Sequence, residues 1–156
     1  MATLEPANKA FWLSRLCESN YAKLAGLVPH LSGIEKAAIA EVPGKPSLHM
    51  NVKERCPYTL TLELTHSFTD EGEFCLEPGL QLRVYLDARS VEVLSDTDRP
   101  SVTLAVDHFG DPRKVLDYKW NLNYFLSRWL DHCQSSNYRF IFADTAEPLV
   151  SSAMAL

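Results

Sequence analysis

The residues of this chain most able to hold a metal are five histidines (His30, His49, His66, His108, His132) and four cysteines (Cys17, Cys56, Cys75, Cys133). A metal site built on a helix or a tight turn needs two ligands at close spacing, so that both converge on one ion. No histidine pair stands four residues apart and no Cys-x-x-Cys occurs. We therefore expect no metal and no cofactor, and we read the cysteines as free thiols, at least two of them in the core. Asp107-His108 with Asp111 reads as a turn rich in Asp, Gly and Pro, not as an ion-binding loop. Nucleophilic chemistry has no better footing. There is no Gly-x-Ser-x-Gly elbow, and Gly110-Asp111-Pro112 lacks the lysine and hydroxyl of a phosphate cradle. Glu63 and Asp87 form the one plausible acid pair, since both are predicted on the polar face of a sheet. Cross-strand pairing with Lys53 and Arg83 explains them more simply. No catalytic residue is assigned.

Binding chemistry has more candidates. Arg83, Tyr85 and Asp87 alternate with apolar residues and so share one strand face. Asp117, Lys119 and Asn123 lie where a second helix is predicted to begin. Asp117 is a plausible N-cap there, and a helix N-terminus with a lysine beside it can hold an anion. These six residues are the candidate ligand set. A single sheet aromatic, Tyr85, with Lys53, Arg55 and Arg83, is a poor single-strand reader, which normally combines several aromatics with a basic groove.

The elements that must position these residues follow from periodicity. A first helix is predicted over residues 6–28, with Pro6 in its first turn. Leu13, Leu16, Cys17, Tyr21, Leu24, Leu27 and Val28 share one face, and Val28-Pro29 ends it. The period then drops to two. Leu48, Met50 and Val52 alternate with polar residues, as do Tyr58, Leu60, Leu62, Leu64 and Phe68, then Leu80, Leu82, Val84 and Leu86. Val91 with Val93, and Val102 with Leu104 and Val106, continue the pattern. Strands apolar on one side only favour an antiparallel sheet. Ala37–Val42 is predicted as a further edge strand, and Tyr138–Phe142 as one more. Cys56-Pro57 and Asp87-Ala88-Arg89-Ser90 read as turns, and the acidic stretch Thr69–Gly79 as the longest loop. The second helix is predicted over residues 117–134, with Leu122, Phe125, Leu126, Trp129, Leu130 and Cys133 on its apolar face.

Two amphipathic helices need one apolar surface to cover, and the sheet offers one. The expected fold is α+β, an antiparallel sheet of five to seven strands with an N-terminal and a C-terminal helix packed on one face. The other face carries His49, Lys53, Thr61, Glu63, Arg83, Tyr85, Asp87 and Glu92. Residues 1–143 would form one domain and 144–156 a flexible C-terminal tail. A chain of 156 residues can hold such a core without staples. The formal net charge of −5 argues against nucleic acid and anionic membranes as partners. No apolar run reaches transmembrane length and the start is unlike a signal peptide, so a cytoplasmic location is expected.

Several stretches then fit one pattern. They are Arg15-Leu16-Cys17-Glu18 with Asn20, Arg55 with Tyr58-Thr59, Arg83 with Tyr85 and Asp87-Ala88, Asp117 with Lys119 and Asn123, and Phe125-Leu126 with Trp129-Leu130 and Cys133. In order and spacing, across residues 10–135, they resemble the YqiB-like family of proteobacterial proteins, a domain of unknown function. The resemblance implies a small cytoplasmic bacterial protein and no assigned activity. Family members are often encoded beside enzymes of nucleotide metabolism, and they tend to carry glutamate where Tyr118 stands and glutamine where Asn121 stands. The expected function is a non-catalytic binding or regulatory module for an unknown protein partner, contacting it through the polar sheet face and the acidic stretch. The alternative is a small-molecule or nucleotide-binding protein, with an enzyme of nucleotide metabolism as its extreme form.

Overall fold

The computed structural model describes residues 8–70, 73–95 and 111–142. Helix α1 spans Lys9–Leu27, and a short 3-10 turn follows at Leu31–Gly33. Strands β1 (Ala37–Ala40), β2 (Ser47–Arg55), β3 (Thr59–Asp70), β4 (Glu73–Tyr85) and β5 (Ser90–Ser95) come next, then helix α2 (Pro112–Ser135) and strand β6 (Phe140–Phe142). The six strands form one antiparallel sheet in the order β5-β4-β3-β2-β1-β6. The α+β class is as expected, with a helix from each end of the chain flanking the sheet.

One alternating set of strand residues makes the core face: Ala38, Ala40, Leu48, Met50, Leu60, Leu62, Leu64, Leu80, Leu82, Val84, Val91, Val93 and Phe140. These residues align row by row across the sheet, as in Met50–Leu64–Leu80 and Leu60–Val84–Val91. Leu24, Leu27 and Val28 from the α1 end, and Leu122, Leu126, Leu130 and Cys133 from α2, join the same cluster.

Four expectations need correction. Thr69–Gly79 is not a loop; its described residues belong to β3 and β4, which pair as far as Asp70 opposite Glu73. The sheet takes in Pro78 and Gly79 at an irregularity, because the register shifts between Leu64 and Thr65. A Cβ at position 79 would come within 2.6 Å of the Leu64 carbonyl oxygen, so glycine lets the strands close there. Strand β1 is internal, flanked by β2 and β6, and β6 is the edge. Helix α2 starts five residues before the expected 117. Asp111 is its N-cap, accepting from the Arg113 N–H at 2.9 Å, and Pro112 opens the helix. Helix α1 starts later than expected, with Asn8 as N-cap accepting from Phe11 N–H at 3.0 Å. Pro6, the predicted Val102–Val106 strand, the Asp107-His108 turn and the tail 144–156 lie outside the described residues.

The two helices run parallel. Lys9 of α1 meets Asp117 of α2, Asn20 meets Asn123, and Lys23 meets Ser127 at 2.8 Å and Asp131 at 3.0 Å. α2 stops in a Schellman turn. Asn137 takes a positive φ of 65°, its N–H donates to Gln134 O at 3.1 Å, and Tyr138 N–H donates to Cys133 O at 3.0 Å. Tyr138 then anchors this end to β2's approach, donating its hydroxyl to Pro46 O at 2.7 Å.

Candidate functional site

The sheet alternation sends Arg83, Tyr85 and Glu92 to the face opposite the core. Arg83 stands across from Glu92, and Tyr85 across from Ser90. The Tyr85 hydroxyl donates to Glu92 Oε1 at 2.7 Å. Burial, the bond to Glu92 and the Glu92 charge push the Tyr85 hydroxyl pKa up, against a lowering contribution from the Arg83 guanidinium. Asp87 is different. It sits in the β4–β5 turn, where its carboxylate accepts from the Ala88 N–H at 2.9 Å and so shapes the turn. Arg89 completes that turn with a positive φ of 53°. The acid pair of Glu63 and Asp87 does not form: Glu63 pairs with Gln81 in register, six residues from Asp87, and its carboxylate meets Lys53 at 3.5 Å.

On the helix side, Asn123 is buried and holds three elements together. Its side-chain oxygen accepts from the backbone N–H of Val93, on edge strand β5, at 2.9 Å. Its side-chain nitrogen donates to Lys119 O at 2.8 Å, and its own carbonyl accepts from the Asn20 amide of α1 at 3.0 Å. An edge strand offers unpaired N–H groups, and burying one without a partner costs about 1–3 kcal/mol. Asn123 supplies that partner for Val93. Asn20 is fully buried, and among the described residues its Oδ1 has no hydrogen-bond partner. One turn earlier on α1 lies the Cys17 thiol, pushed up to about 12 by burial and by the charges of Glu92 and Glu18, with Lys119 acting the other way. Cys17, Glu92 and Lys119 are thus electrostatic neighbours drawn from α1, β5 and α2.

The structure therefore brings Arg83, Tyr85 and Glu92 together, and leaves Lys119 on α2, where its charge acts on the buried Cys17 thiol. It commits Asn123 to backbone partners and Asp87 to its turn. It places Asp117 in the second turn of α2, paired with Lys9. Glu92, Cys17 and Asn20 were not in the candidate set. Asn20 and Asn123 do carry a sequence signal: each is a polar residue on the apolar stripe of its helix. Among the described residues no group of histidine, cysteine, aspartate and glutamate can hold a metal ion.

A second surface lies on the same two helices. In α1 no residue before Cys17 is buried, and in α2 none before Leu122. Four of the most exposed large apolar side chains among the described residues lie in or next to these stretches: Phe11 (50 %) and Trp12 (49 %) in α1, and Tyr124 (47 %) and Phe125 (44 %) just past Asn123 in α2. Lys9, Trp12, Leu16 and Lys23 follow one helical stripe, as do Asp117, Trp120, Tyr124, Ser127 and Asp131. The Lys9–Asp117 contact and the Lys23 contacts with Ser127 and Asp131 set those stripes side by side. Trp12 and Leu16 on α1, and Trp120 and Tyr124 on α2, therefore lie along these stripes between the two polar contacts, a stretch termed the aromatic seam. Trp120 and Tyr124 stack with centroids 6.4 Å apart, and Phe11 meets Trp12 edge-on at 5.3 Å. Phe125, predicted to face the core, turns outward on α2's other flank, whereas Trp129 packs against the core.

The comparisons with known proteins bear on residues of both surfaces. The family model described as "Protein of unknown function (DUF1249)" matches residues 23–139, about three-quarters of the sequence. The chain belongs to this family. It is 25 % identical over 121 residues to the proteins named "Uncharacterized protein YqiB" of Escherichia coli strain K12, strain CFT073 and O157:H7, covering 78 % of this chain and 85 % of each relative. No solved structure matches. The YqiB-like resemblance read from the sequence is thereby confirmed. The DUF1249 match takes in Arg83, Tyr85, Glu92, Asn123 and the α2 side of the seam, and it begins at Lys23, beyond Phe11 and Trp12. No helix among the described residues is long and apolar enough to cross a membrane.

Proposed function

We propose that this chain is a non-catalytic cytoplasmic binding module, and that it contacts a protein partner through the aromatic seam at the N-terminal half of the helix pair. The observation that carries this reading is the exposure of Trp12 and Tyr124 on two paired helices that bury Leu24, Leu27, Leu126 and Leu130 in the core. Exposed tryptophan and tyrosine on a rigid support are the residue types that dominate binding hot spots. Helices hold them in place at little entropic cost on association. The site differs from the polar sheet face expected from sequence, where Arg83, Tyr85 and Glu92 already satisfy one another.

The test is a comparison of partner retention from a proteobacterial lysate by the native chain and by Trp12→Ala/Tyr124→Ala. The reading expects discrete proteins held by the native chain and lost from the variant, with thermal stability unchanged. Identical retention by both would overturn it.

A second reading, a small-molecule or nucleotide-binding protein, is favoured by one observation: the polar group of Arg83, Tyr85 and Glu92 on the sheet, with the Tyr85 hydroxyl bonded to Glu92 at 2.7 Å. A nucleotide at about 100 times its dissociation constant would stabilise the fold by about 2.7 kcal/mol in a thermal-shift screen. A flat screen across nucleotides removes this reading.

A further inference from the structure

Helix α2 has a second exposed flank, turned away from α1. Lys114, Tyr118, Asn121, Phe125 and Arg128 recur at alternating steps of four and three, so they share one stripe of the helix. The side that meets α1 is a different stripe, marked by Asp117, Ser127 and Asp131. On the outer stripe Phe125 is 44 % exposed, and Lys114, Asn121 and Arg128 are exposed around it. Tyr118, two turns before Phe125, and Trp129, one turn after it, are half-buried and packed against the core, so the apolar ground beside Phe125 is rigid.

The charges divide in the same way. Both acids of α2, Asp117 and Asp131, lie on the α1 side, and each meets a lysine of α1. The outer stripe holds Lys114 and Arg128 and no acid, and among the described residues neither cation makes an ion pair. Lys114 also stands, with Arg113, in a first helical turn that contains no acid, where the helix dipole disfavours positive charge. Helix stability therefore does not account for the cations there. In a chain of net charge −5 this flank is a local exception.

We infer that the outer flank of α2 docks an acidic polypeptide segment, with an apolar side chain of that segment on Phe125 and its carboxylates on Lys114 and Arg128. An aromatic centre with a cationic rim is the make-up of a protein-binding patch. From 114 to 128 the helix rises roughly 21 Å, the reach of about six or seven extended residues. Nucleic acid and anionic lipid would use the cations and leave Phe125 idle, and the net negative charge of the chain repels an extended polyanion. The inference goes beyond the aromatic seam, because it assigns a contact to the other flank of α2.

Selection of a random peptide library displayed on phage against the full-length chain tests it. The expected result is enrichment of peptides that carry Asp or Glu beside an aromatic or aliphatic residue. An enriched peptide, made synthetically, should bind less tightly as salt rises, and Lys114→Ala/Arg128→Ala should flatten that dependence. Phe125→Ala should weaken binding at least about tenfold, while Phe125→Leu keeps most of it. Trp12→Ala/Tyr124→Ala, which disables the seam, should bind the peptide as the native chain does, so the two surfaces fail or hold separately. Circular dichroism of each variant separates lost docking from lost fold. No enrichment, enrichment of neutral or basic peptides, or binding indifferent to Phe125→Ala overturns the inference. So does tighter binding of single-stranded DNA or of phosphatidylserine vesicles than of the peptide.

Discussion

The two halves of the helix pair have the same partners and opposite fates. The C-terminal halves bury Leu24 and Leu27 of α1, and Leu126, Leu130 and Cys133 of α2, beneath polar residues that face water. The N-terminal halves hold no fully buried residue, and although Tyr118 packs against the core, Phe11 and Trp12 there, with Tyr124 just past Asn123, are exposed. Hydrophobic burial explains the first half completely. It cannot explain the second, because tryptophan and tyrosine left in water contribute little to folding. Aromatic side chains placed where folding does not use them are better accounted for by something that docks on them. The boundary between the halves is marked by Asn20 and Asn123, where both helices meet the β5 edge.

The comparison breaks most readily in the buried half. Leu126→Ala, at a fully buried site, should cost about 2–5 kcal/mol in urea unfolding, because it leaves a cavity in a core that can only partly relax. A loss below about 1 kcal/mol would mean that α2 is not packed as described. At the boundary, Asn123→Ala should cost about 1–3 kcal/mol by orphaning the Val93 N–H, with faster amide exchange at Val93 as its local signature. Unchanged exchange there would show that the edge is covered in another way.

Alkaline pH sharpens the same contrast. Burial raises the Cys17 and Cys133 thiols from the ordinary 9.0 to about 12, so the folded state keeps them protonated when an unfolded chain would release the proton. Their contribution is therefore complete below pH 9.0 and is lost as pH climbs toward about 12. At neutral pH the exposed Cys56 should react with a thiol reagent well before Cys17 and Cys133. Equal rates would place the two buried thiols in water. The smallest effect belongs to the exposed half: Trp12→Ala should change unfolding stability by no more than about 0.5 kcal/mol, and a larger loss would make it a core residue.

The sheet was legible because period-two alternation leaves a direct trace in side-chain type. Leu60, Leu62 and Leu64, then Leu80, Leu82 and Val84, face the core as that trace requires. The β3–β4 hairpin was hidden because acids, Gly72, Pro78 and Gly79 are also the chemistry of loops; the irregularity that admits Pro78 and Gly79 depends on the neighbouring strand. The start of α2 was hidden because Asp111-Pro112 serves a helix N-terminus as well as it serves a turn. The candidate site was less legible than the fold. Arg83 and Tyr85 were found by facing, but Glu92, which Tyr85 bonds, comes from another strand. Asn123 was found for its position at a helix start, and its actual work on Val93 depends on a contact 30 residues away. The seam needed two helices to be laid parallel, which no single-helix pattern contains.

Residue-resolved amide hydrogen exchange along α1 and α2 tests the division of the helices most directly. The account predicts weak protection through Leu16 and Asn121, a sharp rise at Asn20 and Asn123, and protection close to that of the global fold through Leu27 and Leu130. Uniform protection from Phe11 to Leu27 and from Val115 to Leu130 would contradict it.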